Sequence, residues 1–93
     1  MSIKSFTHKG LRRFFETGST SGIQAQHAAR LGRMLRVLDA ATAPSDMGIP
    51  GWGLHPLKGD MNDHWAMSVS GNWRLSFKFD GADVILVAYQ DYH

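Results

Sequence analysis

The sequence contains no cysteine. That removes disulfides and thiolate metal sites, and fits a reducing compartment such as the cytoplasm. It contains no apolar run of about 18 residues, the length a membrane-crossing helix requires, so no membrane association is expected. The opening Met1-Ser2-Ile3-Lys4-Ser5-Phe6 lacks the apolar core and small cleavage-site residues of a secretory signal. No internal repeat and no low-complexity segment interrupts the chain. Histidines are numerous, five in all, yet none are spaced as H-x-x-x-H or H-E-x-x-H, so no metal site is predicted. No glycine-rich loop joins a strand to a helix, which excludes a phosphate loop of that kind.

What is present is a chain of 93 residues with a hydrophobic share of 43%, enough for one compact globular domain over residues 1–93 and too little for two. The net charge of +2 conceals an asymmetry. Residues 1–36 carry seven bases (Lys4, Lys9, Arg12, Arg13, Arg30, Arg33, Arg36) and one acid, Glu16. The remainder carries three bases and seven acids. A basic half suits a polyanion or an acidic protein partner, and equally suits a solvated helical surface.

Residues 3–6 alternate and predict a short strand. Residues 8–17 predict a helix, because Leu11, Phe14 and Phe15 share one face and Arg12 and Glu16 form an i,i+4 pair. Thr7 suits its N-cap and Gly18 its C-terminal stop. Residues 24–41 carry the strongest helical pattern. Ala28, Leu31, Met34, Leu35 and Leu38 fall on one arc, with Arg30, Arg33 and Arg36 on the opposite, basic one. Residues 44–53 hold two prolines and three glycines and read as a loop with one short turn near 46–49. The period then changes to two. Residues 54–57 predict a short strand, at an edge because Pro56 cannot donate to a ladder. Residues 65–70 and 73–79 alternate around a Gly71-Asn72 turn. Asp80-Gly81 makes a second turn before a β-branched strand over 83–89. The order is β-α-α followed by a four-stranded antiparallel meander, an α+β fold. The helices cover one sheet face and leave open the face bearing Arg74, Ser76 and Lys78.

Three places hold residues capable of chemistry. The last strand runs into Gln90-Asp91-Tyr92-His93, which would put a carboxylate, a phenol and an imidazole at a rigid strand exit. A polar strand end that merely solubilises the terminus is the plain alternative. Leu54-His55-Pro56-Leu57-Lys58-Gly59-Asp60 offers an imidazole and a lysine beside a glycine, which lets a phosphate approach closely. Its alternative is an ordinary strand histidine. Arg74, beside Trp73, is either a phosphate ligand or an exposed sheet arginine. His8 and His27 fall on the helices and read as surface or capping residues.

Taken together, these segments resemble the HigB-type toxins of the RelE superfamily, also described as plasmid-maintenance killer proteins. The resemblance runs end to end. It covers Ile3-Lys4-Ser5-Phe6 with His8-Lys9-Gly10-Leu11, then Phe14-Phe15-Glu16-Thr17-Gly18 and Leu38-Asp39-Ala40-Ala41-Thr42. It continues through Leu54-His55-Pro56-Leu57-Lys58-Gly59-Asp60 and Asn72-Trp73-Arg74 to Asp91-Tyr92-His93. It implies a β-α-α-β-β-β-β fold, binding at the ribosomal A site and cleavage of mRNA there. It also implies a cognate HigA-type helix-turn-helix antitoxin, through which alone the toxin would reach DNA. His55, Asp91, Tyr92 and His93 match catalytic positions, and Lys58 and Arg74 match phosphate-facing ones. The basic helical face of Arg30, Arg33 and Arg36 fits ribosomal RNA. Cleavage through the ribose 2′-OH would need a base, an acid and cations, and no cofactor. Met61-Asn62-Asp63-His64 departs from the family pattern, which is often basic or aromatic after Lys-Gly-Asp. Two other readings compete. One is a non-catalytic module of the same fold that blocks ribosomes or acts as an antitoxin-bound transcriptional co-regulator. The other is a stand-alone RNA-binding domain, for which interleaved aromatic pairs are missing.

Overall fold

A computed structural model describes residues 2–59 and 63–91. Helix α1 spans Lys9–Thr17 and α2 spans Ala28–Ala40, with 3₁₀ turns at Ala25–His27 and Pro44–Met47. Strands β1 (His55–Pro56), β2 (His64–Ser70), β3 (Trp73–Asp80) and β4 (Asp83–Asp91) follow. They pair in the order β1-β2-β3-β4, every pair antiparallel.

The helix ends follow local chemistry, with one change from expectation. Gly18 closes α1 in the left-handed conformation, φ 81°, and its N–H donates to the Phe14 carbonyl. The N-cap is His8 and not Thr7: its Nδ1 accepts from the Leu11 backbone N–H at 2.9 Å. An imidazole lone pair here does the work usually left to a hydroxyl or carboxylate. The helical pattern over 24–41 resolves into a 3₁₀ turn and a shorter α2. Only residues 28–40 gain full i→i−4 bonding, and the first turn tightens to i→i−3.

Leu31, Met34, Leu35 and Leu38 of α2 are all buried, as their i, i+3, i+4, i+7 spacing requires, and Leu11 joins them from α1. They pack on Met67, Val69, Leu75, Phe77, Val84, Val87 and Tyr89 from one face of the sheet. Truncating a leucine in such a core to alanine costs about 2–5 kcal/mol.

Residues 3–6 are not a full strand. They make two parallel bridges to β4, Ile3 with Val84 and Phe6 with Val87. The shortest bonds run from Lys4 N–H to the Val84 carbonyl (2.7 Å) and from Thr7 N–H to the Val87 carbonyl (2.9 Å). Between them β4 bulges. Ser76 pairs with Ala88 and Lys78 with Ile85, so Leu86 and Val87 together face Phe77. Leu86 takes φ 56°, and its N–H donates to the Ser5 hydroxyl at 2.9 Å. A second bulge lies between Ser68 and Ser70 of β2. β1 is an edge strand of two residues, shorter than the 54–57 expected, in keeping with Pro56. The second tight turn is Gly81-Ala82, one residue later than expected, because Asp80 still pairs with Asp83.

Candidate active site

Directly paired residues of neighbouring strands share a sheet face. His55 pairs with Ala66, Ala66 with Ser76, and Ser76 with Ala88, so one row crosses all four strands on the face away from the helices. Ala66, Ser76 and Ala88 are small and buried. The flanking rows are Ser68–Arg74–Gln90 on one side and His64–Lys78–Ile85 on the other. A low floor thus lies between taller rims that carry Arg74, Gln90, His64 and Lys78.

His55 stands at one end of this row, exposed. Its Nδ1 lies 2.8 Å from the Gly53 carbonyl. A carbonyl only accepts, so Nδ1 carries a proton and the neutral ring presents its lone pair on Nε2. Gly53 makes this possible. Its φ is +62°, and a Cβ there would sit 3.3 Å from the Ser68 hydroxyl. Lys58 is exposed in the following loop. On β3, Arg74 Nη1 donates to the Gly71 carbonyl (2.9 Å) and the Trp73 carbonyl (3.3 Å), which ties one of its three nitrogens to the β2–β3 turn. Two residues from Ser76 on the same face, Arg74 borders the floor of the row.

Asp91 ends β4, exposed and paired with Trp73. Strand alternation puts it on the side of Tyr89 and Trp73, away from Arg74 and Gln90. β1 and β4 are the outer strands, so three inter-strand spacings, about 14 Å, separate the strand of His55 from that of Asp91. His55 and Arg74 therefore share the open face, Lys58 is exposed in the loop after β1, and Asp91 stands at the opposite edge on the other side of the sheet. Tyr92 and His93 lie outside the described residues. Among those described, no group of three His, Asp or Glu side chains is placed to hold a metal.

The basic arc of α2 divides. Arg33 and Arg36 are exposed, whereas Arg30 is half-buried. Its Nη2 donates to the carbonyls of Gly51 (2.8 Å) and Ser68 (3.0 Å), fastening α2 to the loop before β1 and to β2. His27 is not a surface residue. It is 4% exposed, with Nδ1 2.6 Å from the Tyr89 hydroxyl. The sequence carried a signal for this: residues 27, 31, 34 and 38 form one helical stripe, and the last three are core. Burial holds the Tyr89 phenol above its ordinary pKa; the Gln24 backbone N–H opposes this, and the Asp91 charge adds to it. No local pattern marks Asp39, whose Oδ1 accepts from the Ile3 N–H at 2.8 Å and pins the amino-terminal segment to the end of α2.

Two helices on one face of an antiparallel meander, with histidine, arginine and lysine along the other, define a RelE-like α+β protein. The model of the family described as the RelE-like toxin of type II toxin–antitoxin system HigB matches residues 4–93. The chain is also 44% identical over 91 residues to the Endoribonuclease HigB of Proteus vulgaris, covering 98% of this chain and 99% of that relative. The chain belongs to the HigB-like toxins of type II toxin–antitoxin systems.

Proposed function

We propose that the protein is an endoribonuclease that cuts mRNA in the ribosomal A site, acts in the cytoplasm, and is neutralised by a helix-turn-helix antitoxin of the HigA kind. The observation that carries this reading is His55. It is exposed on the open sheet face, its Nδ1 is fixed by a carbonyl, and its Nε2 lone pair is left for a proton. The name of the Proteus vulgaris relative supports the same chemistry.

RNA carries its own nucleophile, the 2′-OH, which attacks the adjacent phosphorus once a base removes its proton. A 2′,3′-cyclic phosphate forms as the bond to the 5′-oxygen breaks, and an acid returns a proton to that oxygen. His55 takes the first proton through Nε2. Arg74 and Lys58 face the charge that builds on the phosphoryl oxygens. Asp91, Tyr92 and His93 supply the acid and a group that orients a base, His93 being the acid by its sequence position. The base and acid assignments can be exchanged between the two ends. No step requires a cofactor. Arg33 and Arg36 meet ribosomal phosphates, and the ribosome contributes by holding the mRNA in line for attack.

The test is to map mRNA 5′ ends in a translating extract with the parent, His55→Ala and His93→Ala. New 5′ ends with the parent and their loss in both variants are expected. Equal growth arrest by all three proteins with intact transcripts would replace the nuclease by a non-catalytic ribosome blocker or co-regulator.

A further inference from the structure

On the helix side of the sheet, three elements converge on Tyr89, which is 2% exposed. Its ring stacks on Trp73, centroids 4.5 Å apart, and His8 at the start of α1 meets it edge-on at 5.5 Å. Its hydroxyl oxygen accepts from the Gln24 N–H at 3.4 Å and lies 2.6 Å from His27 Nδ1. A phenol carries one proton and two lone pairs, so this bond runs in the direction that the imidazole tautomer sets. Burial favours the neutral phenol.

An all-apolar pair at these positions would pack about as well, since replacing both partners of a buried hydrogen bond is nearly neutral. What the polar pair adds is direction. Direction matters at this place. The amino-terminal segment bonds β4 only as far as Val87. From Ala88 onward, among the described residues, the backbone of β4 pairs with β3 alone. Two residues beyond Tyr89, on the same side of the strand, stands Asp91, and its cross-strand partner is the same Trp73 on which Tyr89 stacks.

We infer that His27 is a positioning residue: through its hydrogen bond to the Tyr89 hydroxyl it fixes the half-paired end of β4, from which the proposed cleavage residues Asp91, Tyr92 and His93 follow in sequence. The inference rests on the reading above that this strand end belongs to the reacting site. His27 touches no substrate, and its effect travels through one hydrogen bond and one ring stack. Asn at position 27 sets an amide atom near the place of Nδ1 and keeps the bond, whereas Phe keeps the ring and loses it.

The experiment measures cleavage of a reporter mRNA on purified translating ribosomes, at saturating and subsaturating toxin, for His27→Phe, His27→Asn, Tyr89→Phe, the double Phe variant and Asp91→Asn. His27→Phe and Tyr89→Phe should each slow the saturated rate on the order of tenfold, as a modest misplacement of a reacting group does. The toxin concentration giving half the maximal rate should not change. The double variant should be no slower than either single one, and His27→Asn should recover most of the rate. Tyr89→Phe retains the stack on Trp73 and reports on the same bond if His27→Phe fails to fold. Parent-like saturated rates in folded Tyr89→Phe or His27→Phe, with lowered melting temperatures alone, would overturn the inference and leave the active-site reading standing. An Asp91→Asn protein that cleaves at the parent rate would overturn both.

Discussion

The guanidinium of Arg30 discriminates between two jobs a basic helix face can have. Its sequence position, on one arc with Arg33 and Arg36, suits a phosphate ligand. Its geometry is that of a clamp, with Nη2 on two backbone carbonyls, those of Gly51 and Ser68. Arg30→Met keeps most of the aliphatic stem and removes the donors. A hydrogen bond to a charged group contributes about 1.5–3 kcal/mol when well buried. One of these two is exposed, so a combined loss of about 2 kcal/mol is expected. In a chain of this size that lowers the melting temperature by about 10 °C. Urea unfolding should show a lower midpoint with an unchanged slope, since the surface exposed on unfolding hardly differs. Arg33→Met, on the exposed side of the same helix, should stay within about 0.5 kcal/mol of the parent. RNA affinity of folded Arg30→Met should keep the parent's salt dependence. A variant with the parent's midpoint but weaker, less salt-sensitive RNA binding would refute the clamp and restore the phosphate role.

Other consequences can be checked the same way. A Cβ at Gly10 would collide with the Gly22 carbonyl, so Gly10→Ala should lower stability by about 1–2 kcal/mol. In an open helix the same change would raise it by about 1 kcal/mol, and a raised melting temperature would show that the two backbones are not in close approach. Asp46 accepts from the Thr42 N–H and hydroxyl and the Ala43 N–H, which holds its pKa below the usual 3.8. Its depressed pKa means the unfolded chain binds the proton more readily, so this contribution is present above pH 3.8 and is lost as pH falls through the lower folded value. Asp46→Asn should flatten the acid limb of a stability–pH profile, and an unchanged limb would show that the turn does not depend on the charge. Lys58→Ala should reduce the slope of log affinity for RNA against log salt by about 0.7, the loss of one phosphate contact. An unchanged slope would remove Lys58 from the RNA surface.

Much of this architecture can be read from periodicity. The alternation over 65–79 and the stripe Leu31, Met34, Leu35 and Leu38 each encode a buried face locally, and the structure keeps both. What the chain does not encode locally was harder to see. Residues 3–6 look like a strand, but their partner lies some 80 positions away and bonds them at two bridges only, across a bulge that no local pattern marks. Thr7 has the usual capping chemistry, yet the lone pair that reaches the Leu11 N–H belongs to His8. The candidate site divides in the same way. Arg74 was legible as an open-face residue from the alternation of β3, whereas β1 is too short for alternation to decide His55, whose side follows from its pairing with Ala66. The loss of Arg30 to a clamp and the burial of His27 depend on where α2 docks, which no spacing within the helix reports.

The extra residue at Leu86 has an effect out of proportion to its size. A strand presents alternate residues to alternate sides, so one added residue inverts everything downstream of it. With it, Tyr89 and Asp91 look toward the helices while Ala88 and Gln90 line the open sheet. Shorten the strand there by one and the two sets trade places, leaving a phenol on the side now floored by Ala66, Ser76 and Ala88. The parity of a single kink, more than any side chain in it, determines which chemistry each surface of this toxin displays.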